Sequence, residues 1–478
     1  MRSNLWRGWR KPWNWSTRTW LVCLVGTAIA WPICWRWFCL WQVPDVQLPF
    51  SLEEVYQRDQ SNQENALGAY QPIVRNFDLA KTAWSIVAID KAIDQDKPAW
   101  DEQLDEFLIK HAQIVDDLRQ ASEIEWLQIV PRKSLIIYTL IAPLDRFREF
   151  VKFLEAESIR RQRSGQLQDA WAMYPIMFRI ACHTEMQGFG MARLIGGSCR
   201  GIACAGIGRW ASNRSLTADQ LRQTRFEFDK LISSRISLAD VLKVESAMVK
   251  NSESDPNFPD ALLPQWILDR TNRPEFSVVK RGFLWMVGQP ELALRMWRQV
   301  VVNNLDSIDL PRSQTRVVFD EDETVVFELD PDAKLQPGQM SSTQLSRALQ
   351  STIGKTYSKT DLHASTGIFR RGLHIEGARI AATRILLAVQ EYQRRHGEFP
   401  EKADDLLPDI LDRIPEDPFS DTSQPMKYRR DAVDRAIVWS VWQNGVDDGG
   451  QLDIVDSNTP AKDIGYRITL SIEDNPEE

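Results

Sequence analysis

From Trp20 to Trp41 the chain is apolar apart from Thr27, Arg36 and a few small residues, and nothing else in the sequence constrains the fold as strongly. About twenty such residues make a helix long enough to cross a bilayer, with every backbone polar group satisfied inside the helix. Residues 1–19 carry Arg2, Arg7, Arg10, Lys11 and Arg18 and no acid. Basic residues ahead of a span place the N-terminus in the cytoplasm. Trp13, Trp15, Trp31, Trp35, Trp37 and Trp41 suit the interfacial belts that favour amphipathic rings. Arg36 lies near the far end, within snorkelling reach of the outer interface. The rival reading is a cleaved signal peptide. Ala28-Ile29-Ala30 fits the A-x-A pattern, but Trp31-Pro32 would follow the cut and the apolar run continues past it. The expectation is a single-pass signal anchor in the inner (cytoplasmic) membrane, with the bulk of the chain periplasmic or otherwise extracytoplasmic.

A chain of 478 residues with 43 % hydrophobic content has material for two or three domains. Its net charge of −8 argues against a general nucleic-acid binder, which needs basic surface for phosphate. The basic N-terminal arm is accounted for by topology and anionic lipid. Of the six cysteines, Cys23, Cys34 and Cys39 fall in or at the end of the span. Cys182, Cys199 and Cys204 remain, an odd number for disulfides. They sit among Ala, Ile and Met, the setting of small buried hydrophobes.

Between the span and residue 240 the pattern is helical. Amphipathic stretches cover about Pro72–Asp94 and Trp100–Gln120, the second with Leu104, Phe107, Leu108, His111 and Val115 on one face. His111 on that face reads as a packed core histidine. A helical hairpin spans Leu144–His183 and turns at Arg163-Ser164-Gly165; it resembles one unit of a tetratricopeptide-like array without the full repeat signature. Gly188 to Gly208 carry small residues at three- and four-residue intervals, which let helices approach closely. No strand precedes them and no phosphate-loop string is present. Ser215-Leu-Thr-Ala-Asp219 reads as a capped helix start.

From 241 to 366 the pattern is irregular. Glu291–Val301 is a helical piece, and Arg316–Phe319 with Thr324–Leu329 reads as a hairpin tipped by Asp320–Glu323. Gln336–Ser342 reads as flexible loop. The five histidines are scattered, with no zinc spacing, H-E-x-x-H or G-x-S-x-G. The expectation is therefore not an enzyme.

The last stretch is one compact unit. A helix (about Ile375 to Arg395) ends at His396-Gly397-Glu398-Phe399-Pro400, and a helical turn follows around Leu406–Leu411. Then come Asp417-Pro418-Phe419, strands at Met426–Arg429 and Ala436–Val441, and an acidic, glycine-rich loop from Asn444 to Asp453. Asn444, Asp447, Asp448 and Asp453 supply oxygens within a short arc, as a calcium site requires; Asn-Gly and Asp-Gly turns arise equally for conformational reasons.

In this order of elements, over roughly the last hundred residues, the chain resembles the C-terminal domain of the major pseudopilin of type II secretion systems. Tyr392 to Pro400, Asp417-Pro418-Phe419, Lys427-Tyr428-Arg429, Ile437 to Val441 and Asn444 to Ile454 carry the likeness. It implies a long helix on a small antiparallel sheet, with calcium in the loop. Trp442-Gln443 departs from that pattern, and no Gly-Phe followed by Glu opens the apolar span, as pilin processing requires. The remainder resembles other bacterial membrane-anchored helical proteins.

The expected fold is mainly α with a C-terminal α+β module. It comprises a basic tail (1–19), a transmembrane helix (20–41), a helical-hairpin domain (42–240), an irregular region (241–366) and a pseudopilin-like helix with a small antiparallel sheet (367–478). The expected role is a membrane-anchored scaffold or assembly protein with protein partners, linked to secretion or pilus-like machinery. It is expected to bind no nucleic acid and no small-molecule substrate. A ligand-binding or sensor ectodomain, and an enzyme with an unrecognised site, are the alternatives.

Overall fold

The computed structural model describes residues 16–59, 64–94, 98–136, 143–233, 236–253, 277–308, 315–319, 325–329, 335, 337–341, 344–345, 359–420, 422–433, 435–442, 445–452 and 463–469. In chain order the helices are α1 (Thr17–Gln42), α2 (Leu52–Gln57), α3 (Leu67–Ala80), α4 (Ala83–Ala92), α5 (Glu102–Lys110), α6 (Gln113–Glu123), α7 (Pro143–Arg163) and α8 (Leu167–Trp171). They continue with α9 (Met173–Glu185), α10 (Gly190–Ala211), α11 (Ala218–Leu231), α12 (Leu238–Ser252), α13 (Ser277–Met286), α14 (Glu291–Ile308) and α15 (Lys359–His396). The strands are β1 (Thr315–Phe319), β2 (Val325–Leu329), β3 (Lys427–Ala432), β4 (Arg435–Ser440) and β5 (Ile464–Thr469).

Contacts divide the chain into two compact units, each assembled from three separate segments. The first takes Met1–Pro49, Ser252–Asn303 and Pro331–Leu362; the second takes Phe50–Asn251, Asn304–Asp330 and His363–Glu478.

In the first unit, Ser16 caps α1 by accepting from the Thr19 N–H, and the helix runs unbroken through Pro32. Its apolar side chains stay outside: Leu21, Val22, Leu24, Ile29 and Trp31 are each more than 60 % exposed. The last turns behave differently. Cys39 and Val43 join Leu292, Met296, Val300 and Leu345 in a small core. Arg295 donates to the Leu40 carbonyl at 3.0 Å and the Val43 carbonyl at 3.4 Å. It thus supplies the cation that α1 lacks in its own last turn. Arg298 pairs with Asp45 at 2.7 Å. Gln299 donates to the carbonyls of Pro44 and Gly338, and Asn303 to that of Met340. The flexible loop expected at Gln336–Ser342 is, over 337–341, pinned by these two amides.

The second unit is built around one large hydrophobic core, with a small satellite at Ala378, Phe419 and Val441. Rings of Tyr70, Phe77, Phe147, Phe150 and Phe153 meet edge-on or stacked, with centroids 4.8–6.5 Å apart, the separations that aromatic quadrupoles favour. The expected helical hairpin is α7 returning through α8 and α9, and it turns at Gly165, whose φ of +74° a side chain would resist. The two amphipathic stretches expected at Pro72–Asp94 and Trp100–Gln120 are each built from two helices. Thr82 and Ser85 form a capping box that starts α4, and His111 closes α5 before α6 begins. The capped start expected within Ser215–Asp219 is Thr217, which forms a capping box with Gln220 at the start of α11.

The C-terminal residues share that core. Ile385, Leu386 and Val389 of α15, and Ala436, Val438 and Ile468 of the sheet, are buried with Phe150, Tyr174 and Cys199. The sheet is antiparallel in the order β3-β4-β5; its third strand was not foreseen, although Ile464, Tyr466 and Ile468 alternate. α15 starts well before Ile375 and ends at Gly397, whose φ is +82° and whose N–H donates to the Gln393 carbonyl at 2.8 Å. Strand β3 holds the turn that follows: Tyr428 donates to the Pro400 carbonyl and Arg430 to that of Phe399, both at 2.8 Å. Asp417 explains the Asp-Pro-Phe motif. Its carboxylate accepts from the Phe419 N–H, the Ser440 hydroxyl and the Val441 N–H at 2.6–2.8 Å, tying the turn to the end of β4. The β1–β2 hairpin pairs Thr315 with Leu329 through Phe319 with Val325, while its expected acidic tip lies outside the described residues.

Candidate functional site

The most concentrated chemistry is a buried charge cluster joining α9, α10 and α15. Glu185, Arg193, Arg200 and Glu376 are each at most 4 % exposed. Arg193 bridges Glu185 and Glu376 at 2.6 Å to each carboxylate. Arg200 meets Glu185 through two donors, one of them at 2.7 Å, and Glu376 at 2.9 Å. Burial works against the Arg200 charge, but the Glu185 hydrogen bonds and the two carboxylate charges outweigh it and hold the guanidinium above its ordinary pKa. Two carboxylates and two guanidiniums cancel within the cluster, as buried charges must.

The glycines of α10 make this possible. A Cβ at Gly196 would meet Glu185 Cγ at 2.5 Å and the Ala181 carbonyl at 2.9 Å; one at Gly197 would meet Glu376 at 3.4 Å. At Gly201 it would meet Arg379, and at Gly206 the Glu155 carboxylate. The small residues do bring helices close, but at these four positions the space is filled by charged side chains. Two residues before Glu376, His374 packs edge-on against Phe419, with ring centroids 5.4 Å apart.

A second set of pairs extends the stitching. Arg225 meets the buried Glu391 at 3.1 Å, and Arg395 contacts the same carboxylate. Arg209 pairs with Glu155 at 2.6 Å. Glu155 is 1 % exposed, and its Oε2 has no hydrogen-bond partner. Burial pushes its carboxyl from 4.5 up to about 7, against the pull of Arg209.

The acidic loop is partly described. Asp447 Oδ1 accepts from the Trp439 indole N–H at 2.9 Å and the Gly449 N–H at 3.1 Å. Arg429 stacks over Trp439 and donates to the Gly449 carbonyl at 3.0 Å. Asn444 and Asp453 lie outside the described residues. The fold adds a residue that the motif did not reveal. Asp463, 1 % exposed, accepts from Gly450 and Gln451 through Oδ2 at 2.8 and 3.0 Å. Its Oδ1 is buried without a hydrogen-bond partner. Burial raises its carboxyl pKa; the backbone amides of Gln451, Gly450 and Asp448 oppose the rise, and the Asp448 charge adds to it. No signal in the sequence links Asp463 to the loop, because ten residues separate it from Asp453. Among the described residues no three His, Cys, Asp or Glu side chains converge as a metal-binding group.

The remaining candidates are structural. Cys199 and Cys204 are fully buried, and burial pushes each thiol up to about 12, which leaves them protonated and inert at neutral pH. His183 joins Ile124 and Tyr70: Nε2 meets the Ile124 carbonyl at 2.7 Å, and Nδ1 the Tyr70 hydroxyl at 3.0 Å. A carbonyl only accepts, so Nε2 carries the proton and Nδ1 accepts from the hydroxyl. Burial lowers the His183 pKa to about 4. His111 is half-buried against Phe107, with ring centroids 4.8 Å apart. The His396 ring lies tilted against Tyr392, with centroids 4.1 Å apart.

No protein-family model, curated protein or solved structure matches the chain.

The Glu155 environment has a direct consequence for stability. Its folded pKa exceeds the unfolded value, so the folded state binds the proton more tightly, and stability falls as pH rises from about 4.5 to about 7. Glu155→Gln keeps an acceptor for Arg209 without the buried charge. Urea midpoints for the two proteins across this window should show the fall in the wild type and a flatter profile in the variant, which becomes relatively more stable toward neutral pH.

Proposed function

We propose that the chain is a membrane-anchored scaffold whose helical body and C-terminal sheet stand on the extracytoplasmic side. The observation that carries this reading is α1: its length and composition suit a bilayer crossing, and none of its most apolar window is buried within the protein. Leaving a large apolar side chain in water forfeits about 1.5–3 kcal/mol, and a bilayer restores that burial. Arg2, Arg7, Arg10, Lys11 and Arg18 favour an N-terminus kept in the cytoplasm. Against signal-peptide cleavage, Ala30 lies in the middle of a continuous helix, whose last turns are fastened by Arg295. Scaffolding fits a body whose buried charges are used for packing, and the pseudopilin resemblance of the last hundred residues points the assembly role toward secretion or pilus-like machinery. Membrane fractions of cells expressing the full chain should retain it through alkaline carbonate extraction with its N-terminal segment intact. A soluble product beginning at Trp31 would sink the anchor.

Calcium belongs to the same proposal. The donors in the loop are all oxygen, as calcium prefers, and the orphaned Oδ1 of Asp463 beside the Asp448 charge is the kind of group a cation would satisfy. Asp447, Asp448 and Asp463, with Asn444 and Asp453, would hold the ion, which would neutralise buried charge and fix the loop against β4. Calcium at a hundred times its dissociation constant should stabilise the purified full chain by about 2.7 kcal/mol. Asp463→Asn should abolish that increment without costing stability in chelator, because it removes an unpaired buried charge while retaining an acceptor for Gly450 and Gln451. An equal calcium response in the variant would remove Asp463 from the site.

A further inference from the structure

The far end of α1 carries a second apolar element. α13 packs against α1, and Arg36 joins them. Its Nη1 donates to the Trp285 carbonyl at 2.6 Å and the Gln289 carbonyl at 3.4 Å, and the guanidinium lies 5.3 Å from the Trp285 ring centroid. Arg36 therefore caps the C-terminal end of α13, where carbonyls lack partners and the helix dipole favours a cation. Arg295, just beyond, caps α1 in return. The chain between α13 and α14 turns at Gly288, where φ is +89° and a Cβ would stand 3.2 Å from Leu40. The two helices and the turn between them are thus held to the last turns of α1.

α13 is two-sided. Leu284 is buried, as is Val287 just past its end, while Phe283 and Trp285 are 38 % and 45 % exposed. The neighbouring turns of α1 expose Trp37, Phe38 and Trp41, and Trp31, Trp35 and Phe38 form a run of ring contacts. Depth follows from geometry. At 1.5 Å per residue, Thr17 to Arg36 measures about 28 Å, close to the roughly 30 Å hydrocarbon thickness of a bilayer. A carbonyl bonded to Arg36 then lies where hydrocarbon gives way to headgroups, the level at which Trp is favoured.

We propose that α13 is a second membrane-contacting element, lying in the outer headgroup region of the bilayer that α1 crosses, with Phe283 and Trp285 turned into lipid and Arg36 as the clasp. It rests on the anchor reading of α1 and adds a surface to it. A short helix laid against a membrane-crossing helix at headgroup depth has lipid on both flanks, so rings on either side of it can enter the interface. The occupant of the two exposed flanks is phospholipid, because they lie beside the exposed apolar and aromatic side chains of α1, Trp37, Phe38 and Trp41.

The test uses the full chain reconstituted in nanodiscs of phosphatidylethanolamine and phosphatidylglycerol. Photoreactive p-benzoylphenylalanine replaces Ile29, Phe283 or Phe226, one per variant; Phe226 is an exposed position on α11 in the other unit. After irradiation, mass spectrometry reads lipid adducts. The expected result is lipid mass gained at positions 29 and 283 and none at 226. Adducts at 29 without adducts at 283 would overturn the proposal and leave the anchor standing. Their absence at 29 would overturn the anchor itself. Arg36→Gln, introduced into each probe variant, should reduce the adduct at position 283 while leaving the yield of the position-29 variant unchanged; an undiminished yield at 283 would remove Arg36 as the clasp.

Discussion

Glu185, Arg193, Arg200 and Glu376 form the interaction on which the larger unit depends. Charges this deeply buried are expensive to desolvate, and removing one partner of such a pair costs about 3–5 kcal/mol because the other is stranded. The pairing is also directional. Arg193 and Arg200 are two turns apart on one face of α10, and each reaches back to Glu185 on α9 and across to Glu376 on α15. Hydrophobic contact alone would allow α15 to slide or rotate against the bundle; the four charges admit one register. Arg225–Glu391 repeats the device farther along the same helix. The sheet inherits its position from α15, since Gly377 lets Pro418 approach and Ala378 packs with Phe419 and Val441.

The smaller unit solves a different problem. A long apolar helix must find partners for its last carbonyls and pass its direction to the chain that follows. Here polar side chains from α14 take the open carbonyls of Leu40, Val43 and Pro44, and Cys39 and Val43 are clamped in a small core. The end of α1 is thus fixed by side chains that are distant in sequence.

What the sequence disclosed follows physical range. Local signals were legible: the apolar run of α1, the capped start of α11 near Thr217, the Gly397 stop, and the strands around Lys427–Ala432 and Arg435–Ser440. Signals that need a distant partner were not. The glycines of α10 announced close approach, but nothing local says that Glu155, Glu185, Glu376 and Arg379 fill the gaps. Arg200 and Glu376 stand 176 residues apart, so no periodicity connects them. Asp463 had no turn or spacing to mark it as a neighbour of Gly450. The loop through Gly338 has a flexible composition and is nevertheless fixed, because Gln299 and Asn303 lie outside it.

Unity of the body and the last hundred residues is the central claim, and hydrogen exchange of the full chain in increasing urea tests it most directly. Amides in the cores of α9, α10 and α15 should open together, with one free energy and one urea dependence, because a single core and a single charge cluster hold them. Exchange in α15 and β3–β5 through a separate, lower-energy opening, while α9 and α10 stay protected, would contradict the account and make the C-terminal segment an independent module.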